Sequence, residues 1–184
     1  MNTDRVGAGR DVPEDCNVII EIPMLAPPIK YEVDKLTGAI FVDRFMATAM
    51  HYPCNYGYIP GTLSPDGDPV DVLVISRVPL LTGIVVRIRP IGPLGMRDEH
   101  GEDAKVLAVP IDKLCDLHVK VKSASDLPRG QLDQIAHFFR HYKELEPGKF
   151  VEVRGWEDEA AARREIMAGV ASFERFQAAP AIGA

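Results

Sequence analysis

The first two-thirds of the chain has the pattern of short β-strands. Residues 29–34 alternate apolar and polar side chains, the period-two signature of a strand with one solvent-facing side. Turn residues at 35–38 separate this run from an apolar run at 39–45, so the two are predicted to form a hairpin. The Tyr-, Pro- and Gly-rich stretch that follows is predicted to be a loop. Further strands are predicted at 17–22, 69–75, 84–91 and 105–111.

The last third of the chain changes to a helical period. An apolar stripe at i, i+3, i+4 spacing predicts the main helix, and it consists of Leu132, Ile135, Ala136, Phe139 and Tyr142. A short strand at 149–154 and a second helix at about 158–176 complete the pattern. Short strands followed by helices predict an α+β fold, built on a small closed, OB-like β-barrel of about five strands with flanking helices.

The length of 184 residues fits one domain with a substantial core. Residues 1–15 are polar and without periodicity, so we expect a loosely ordered arm there, and residues 177–184 are expected to form a tail. The start of the chain has no apolar leader-like run, and no segment reaches the ~18 uninterrupted apolar residues of a membrane span. These features predict a cytoplasmic protein that does not associate with membranes.

The charge balance limits the possible partners. Lys and Arg total 21 against 27 Asp and Glu, a net charge of −6, which argues against a nucleic-acid-binding surface. The three cysteines, Cys16, Cys54 and Cys115, have no C-x-x-C spacing and suit a reducing compartment. An anionic ligand would have to be met by a local cluster of cations or by bound metal ions.

Two acidic clusters predict a metal site. Asp66, Asp68 and Asp71 crowd into six residues at the start of an apolar strand, and such crowding is costly unless hard cations bind between the carboxylates. Oxygen ligands favour Mg²⁺, Mn²⁺ or Ca²⁺, and the spacing is not that of an EF-hand. A second loop, residues 96–105, adds four carboxylates, and the barrel could bring the two loops together. A solvated acidic turn is the simpler alternative for the first cluster alone.

Several segments together resemble the soluble family I inorganic pyrophosphatases, particularly the bacterial type. The signature stretch is DGDPVDVLV at residues 66–74. The resemblance continues, in the family's order, through EIP at 21–23, IKYE at 29–32, FVDRFMATAMHYPCNYGYIPGTL from 41, GEDAK from 101 and AHFFRHYKELEPGKF from 136. It covers roughly residues 15–176.

The resemblance implies an enzyme that hydrolyses inorganic diphosphate to two orthophosphates with several Mg²⁺ ions per subunit. Two of the ions would share a water and lower its pKa, and Asp68 would act as general base. The implied metal ligands are Asp66, Asp71, Asp98 and Asp103. The implied substrate-binding residues are Lys30, Arg44, Tyr56, Tyr142 and Lys143, with a second tier of Glu21, Glu32, Tyr52 and Lys105.

The residue types fit these roles chemically. The planar guanidinium of Arg44 can grip two phosphate oxygens, whereas Lys30 would act as a point charge. Tyr56 and Tyr142 can donate phenolic hydrogen bonds, although without the resemblance each would be interpreted as a packing residue. Glu32 could act by orienting Lys30 rather than by binding a ligand.

The main helix suggests a subunit contact. His137, Phe138 and His141 are predicted to lie away from the Leu132 stripe, as an exposed aromatic beside two titratable groups. Bacterial members of the family assemble as hexamers through this helix, so we expect a homo-oligomer, with a hexamer favoured, that acid weakens through His protonation.

Three rival interpretations are compatible with parts of the sequence. A barrel that binds nucleic acid or oligosaccharide is disfavoured by the acidic loops. A structural metal-binding domain does not account for Asp68 together with Lys30, Arg44 and Lys143. A phosphohydrolase for nucleotides or polyphosphate would need a base-recognition segment or a larger pocket, and no such segment is evident.

Overall fold

A computed structural model describes residues 6–35 and 37–179 of the chain. The elements run in the order β1 Gly9–Asp11, β2 Asp15–Ile22, β3 Ile29–Val33, β4 Ile40–Phe45, β5 Asn55–Tyr58, β6 Asp71–Val74, β7 Val85–Asp98, β8 Gly101–Glu102, β9 Lys105–Pro110, α1 Arg129–His141, β10 Val151–Trp156 and α2 Glu159–Ala178. Short 3₁₀ turns at Asp116–His118 and Ala124–Asp126 precede α1.

Five strands close into a ring. The pairings run β2–β5–β6–β9–β7 and return from β7 to β2, with β6 and β9 parallel and the other neighbours antiparallel. The ring is uneven, because β7 has 14 residues and β5 and β6 have four each. The register of β7 on β9 shifts between Pro90 and Gly92, which allows the long strand to bend from β2 towards β10. The predicted closed barrel of about five strands is confirmed.

Alternate residues of the ring strands build two cores. Val72 and Val106 belong to one apolar cluster, which Ala162 and Ile166 of α2 cover. The intervening Leu73 and Leu107 belong to the other, which α1 covers with Leu132, Ile135, Phe138 and Phe139. Both faces of β6 and β9 are therefore buried, and the two helices fix the ring from opposite sides.

The hairpin β3–β4 forms a separate two-stranded sheet. Among the described residues β4 pairs with β3 alone, and most of its residues are exposed. Lys30 lies opposite Arg44 in the register, so the predicted pair of cations lies side by side on this hairpin.

The predicted loop after the hairpin contains a strand, β5, which the sequence analysis missed. Its Asn and Gly residues signal turns in isolation. Gly57 serves a different purpose, because a Cβ there would lie 2.0 Å from the carbonyl oxygen of Ile19 on β2. The glycine permits close approach of two ring strands.

The predicted ends of the chain need correction where the structure describes them. Residues 9–11 of the expected loose arm form β1, which pairs with β2. Helix α2 extends to Ala178, two residues into the expected tail. Residues 1–5 and 180–184 lie outside the described residues.

The prediction that Phe138 is exposed is wrong. Only 3% of the residue is accessible, and its ring stacks on Tyr142 with centroids 5.2 Å apart and lies 4.7 Å from the ring of Tyr52. The helical pattern was interpreted as placing Phe138 away from the predicted stripe, but α1 buries a wider face than that stripe, and this face includes Phe138. In residues 6–35 and 37–179, no helix is long and apolar enough to cross a membrane.

Candidate functional site

All fourteen predicted site residues line one cavity of about 220 Å³. The cavity lies where the hairpin β3–β4, the start of β6, the β7–β9 connection and the end of α1 meet. Its lining combines carboxylates of the two acidic loops with cations of the hairpin and of the segment at the end of α1. The structure therefore brings together residues that are far apart in the sequence.

The turn before β6 aims the first acidic cluster. The Asp66 Oδ1 atom accepts a hydrogen bond of 3.0 Å from the backbone N–H of Asp68. The backbone N–H groups of Ser64 and Gly67 donate across the same turn, to the carbonyls of Asp68 and Ser64. Gly67 has φ +93°, a conformation that strains other residues, so glycine is required for this turn.

The carboxylates of the two loops repel one another. Burial raises the pKa of Asp66, and the negative charges of Asp68, Asp103 and Asp71 raise it further, against the lowering effect of the Asp68 N–H bond. Four carboxylates close enough to interact in this way have the donor chemistry of a site for a hard divalent cation.

Lys105 lies between two of these carboxylates. Its buried ammonium donates to both Asp71 and Asp103. Burial alone would lower the pKa of Lys105, but the two carboxylates outweigh it and hold the pKa well above its ordinary value. Within the described part of the chain, no three His, Cys, Asp or Glu side chains are already drawn around one point as a metal ion would require. The ammonium compensates part of the negative charge in this arrangement.

Asp98 has a different partner from the other predicted metal ligands. Its carboxylate is 7% exposed and accepts a hydrogen bond of 2.6 Å from Lys143 Nζ. Burial would raise the pKa of Asp98, but the hydrogen bonds from Lys143 and from the His100 backbone lower it overall. Glu99 Oε1 also lies 3.5 Å from Lys143 Nζ. Lys143 is thus fixed by acids of the β7 end.

The hairpin supplies the other cations. Lys30 donates to Glu32 and lies 3.4 Å from Asp43. The contact with Glu32 supports the hypothesis that this residue orients Lys30. Arg44 Nη1 lies 3.8 Å from Asp43, and Arg44 Nε lies 3.7 Å from Glu146.

The predicted tyrosines both pack and line the cavity. Tyr52 and Tyr56 are buried with ring centroids 5.4 Å apart, and the Tyr142 ring lies 5.6 Å from Lys143 Nζ. Burial raises the pKa of Tyr142, so its hydroxyl keeps the proton that a hydrogen bond to phosphate needs.

Further polar residues of the cavity were not predicted. They are Lys35, Tyr58, Glu99, His100 and Lys149. Glu99 and His100 follow Asp98 in the same acidic loop, so proximity in sequence could have indicated them. Lys149 lies after a Pro-Gly turn, and no local pattern shows that the turn folds back to the cavity.

A cavity that gathers carboxylates from two loops together with several cations is typical of an enzyme that acts on a small phosphate compound. A family model described as inorganic pyrophosphatase matches residues 18–174. Proteins named inorganic pyrophosphatase from Yersinia pestis and Escherichia coli (strain K12) are each 61% identical to this chain over 175 residues, which is 95% of this chain and 98% of each relative. The chain belongs to the inorganic pyrophosphatase family, and the resemblance identified in the sequence is confirmed.

Solved structures give the same result for the fold. The inorganic pyrophosphatase from Thermus thermophilus superposes with a TM-score of 0.87 at 43% identity and covers 95% of this chain and 99% of its own. A structure from Anaplasma phagocytophilum, described as an inorganic phosphatase, gives a TM-score of 0.90 at 50% identity and covers 92% of this chain and 99% of its own.

Glu21 should make stability depend on pH. Burial raises its pKa from 4.5 to about 7, against the lowering effects of Lys35 and the Val33 N–H. The folded state therefore binds a proton that the unfolded state has released, so this contribution to stability is present below pH 4.5 and is lost as the pH rises to about 7. Glu21→Gln keeps the acceptor oxygen and cannot ionise. Between pH 4.5 and about pH 8 the free energy of unfolding should fall by roughly 2–3 kcal/mol more in the wild type than in Glu21→Gln.

Guanidinium unfolding in the presence of a chelator, at one protein concentration, measures this difference. Glu174→Gln changes an exposed glutamate on α2 and should keep the wild-type pH profile. If the free energy of unfolding has the same pH dependence in the wild type and in Glu21→Gln, the raised pKa assigned to Glu21 is wrong.

Proposed function

We propose that this chain hydrolyses inorganic diphosphate to two orthophosphates, with Asp68 as the general base. The observation that carries the proposal is one cavity lined by the carboxylates of two loops together with the cations of the hairpin and of the segment at the end of α1. Such a cavity matches a small, fully charged substrate that arrives with divalent cations.

The proposed cofactor is Mg²⁺, held by Asp66, Asp71, Asp98 and Asp103. The repulsion among Asp66, Asp68, Asp71 and Asp103 supports three of these ligands, since a cation between them would relieve it. Asp98 is included by family resemblance and lies beside Lys143. When bound, Mg²⁺ would neutralise phosphate charge and lower the pKa of a coordinated water. Mn²⁺ has the same preference for oxygen ligands and is the proposed substitute.

Asp68 is suited to act as the base because its carboxylate is exposed and uncommitted. Its backbone N–H and carbonyl hold the turn, whereas in the described residues its carboxylate makes no hydrogen bond or ion pair. Asp71 and Asp103, by contrast, both accept from Lys105. A free carboxylate beside the cavity can take a proton from an attacking water.

The cations would bind and orient the two phosphates. Arg44 would grip two oxygens with its planar fork, and Lys30 and Lys143 would add point charges. Tyr56 and Tyr142 would donate hydrogen bonds without adding charge. The cavity of about 220 Å³ is smaller than typical drug-sized sites of roughly 300–1,000 Å³, which favours diphosphate over nucleotides.

Asp68→Asn tests the general base. The amide cannot accept a proton at neutral pH, so kcat for diphosphate with Mg²⁺ should fall by about 10²-fold or more. Phosphate release at saturating diphosphate measures the change. Asp116→Asn alters an exposed aspartate before α1 and should leave kcat unchanged. A kcat for Asp68→Asn within twofold of the wild type would show that another group takes the proton.

We also propose that the chain forms a homo-oligomer, a hexamer by family resemblance, through the face of α1 that carries His137 and His141. The two rings lie with centroids 4.5 Å apart. Beside them is a groove with a mainly apolar lining that includes Leu25, Met50 and Pro53. Leu25, which is 65% exposed, adds to this apolar groove, and contiguous apolar surface of this kind marks interaction sites.

Acid should weaken this assembly, because protonation would place two positive imidazoles side by side on the contact surface, and Glu144 Oε2, 3.1 Å from His141 Nδ1, can offset only one of them. Sedimentation should show the oligomer at pH 8 and smaller species at pH 5. The double variant His137→Gln, His141→Gln should keep its mass at pH 5. An identical mass for the wild type at both pH values, or a monomer throughout, would contradict the proposal.

A further inference from the structure

We infer that Glu146 is a positioning residue, which holds Arg44 and Lys149 at the edge of the cavity so that both cations meet the substrate. This inference rests on the proposed diphosphate hydrolysis and extends it to two residues, Glu146 and Lys149, that the sequence analysis left without a role.

Glu146 contacts both cations from one carboxylate. Its Oε1 atom lies 3.7 Å from Arg44 Nε, and its Oε2 atom lies 3.0 Å from Lys149 Nζ. The Glu146 side chain is 13% exposed, so the contacts are largely shielded from water. Arg44 and Lys149 both line the cavity, whereas Glu146 is not part of its wall. Glu146 therefore stands behind the two cations rather than beside the ligand.

A donor of Arg44 and an acceptor of Glu146 face each other at slightly more than hydrogen-bond distance. Arg44 Nε and Glu146 Oε1 are both buried, and neither has a hydrogen-bond partner among the described residues. A buried donor and a buried acceptor without partners are each costly, so shortening their separation from 3.7 Å to about 2.9 Å is favourable. That bond uses Nε alone and leaves the four N–H donors of the two Nη groups for phosphate oxygens.

The backbone after α1 fixes Glu146 in this place. The Glu146 N–H donates to the carbonyl of Lys143, and the Lys149 N–H donates to the carbonyl of Glu146. Gly148 has φ +77° within the second of these turns. Two successive turns thus place Lys143, Glu146 and Lys149 at one end of α1.

Glu146 joins two parts of the cavity wall. Arg44 lies on β4, which pairs with β3 and is mostly exposed. Lys149 lies after α1, on the main body of the fold. A carboxylate that lies against both cations restrains the exposed hairpin relative to the main body.

Two roles of Glu146 predict opposite changes in KM when its charge is removed: simple repulsion of the anionic ligand predicts a fall, and positioning of the cations predicts a rise. A negative charge near an anionic ligand weakens binding, so its removal would by itself lower KM. If Glu146 acts by positioning, the neutral variant Glu146→Gln leaves Arg44 and Lys149 less ordered and raises KM. The sign of the change separates the two effects.

Steady-state assays with diphosphate and Mg²⁺ test the inference. For Glu146→Gln, KM should rise about tenfold and kcat should change less than about threefold, because the lost contacts mainly serve binding. In an Arg44→Lys background the same substitution should raise KM by about threefold or less, since the Nε contact is already absent. Glu152→Gln, an exposed change on β10, should leave both constants unchanged.

Several results would overturn the inference. One is a KM for Glu146→Gln that falls or stays within twofold of the wild-type value. Another is a rise in KM on Glu146→Gln that is equal in the wild-type and Arg44→Lys backgrounds. Should Glu146→Gln fail to fold by circular dichroism, Glu146→Asp decides the question, because it keeps the charge but withdraws it from Arg44. An unchanged KM for Glu146→Asp would then contradict positioning. Absence of diphosphate hydrolysis by the wild type would instead reject the proposed function itself.

Discussion

The site depends on a buried ammonium held between two carboxylates. Lys105 donates to Asp71 and Asp103, which belong to different acidic loops. Asp71 begins β6 and Lys105 begins β9, and these strands pair in parallel within the ring. Without this cation the two loops would place like charges together in a buried region at a cost of several kcal/mol. The barrel and its site are therefore linked at this contact.

Charge compensation continues around the cavity with one pattern. Four cations of the cavity wall each lie beside an acid: Lys30 beside Glu32, Lys143 beside Asp98, and Arg44 and Lys149 beside Glu146. The acids reduce side-chain freedom while the cations remain at the cavity wall. A chain with an overall charge of −6 can in this way hold an ordered group of cations at one cavity.

Local sequence was sufficient for features that depend on neighbouring residues. The period of two predicted the hairpin, and the acidic spacing at 66–71 pointed to the site. Family resemblance supplied the remaining site residues, which the fold brings to one cavity. The features that were missed depend on contacts distant in sequence. Gly57 is a strand residue because β2 passes close to it, and Phe138 is buried because Tyr52 packs on it. The Arg44–Glu146 contact spans elements that no local pattern relates.

This cavity is proposed to bind diphosphate together with divalent cations and to cleave it. The decisive measurement is phosphate release from diphosphate, ATP and a phosphomonoester, each assayed with Mg²⁺ and with a chelator. We expect fast cleavage of diphosphate that requires Mg²⁺, and little release from the other two compounds. Folded protein that releases no phosphate from diphosphate in the presence of Mg²⁺, or that cleaves all three compounds equally, would contradict it.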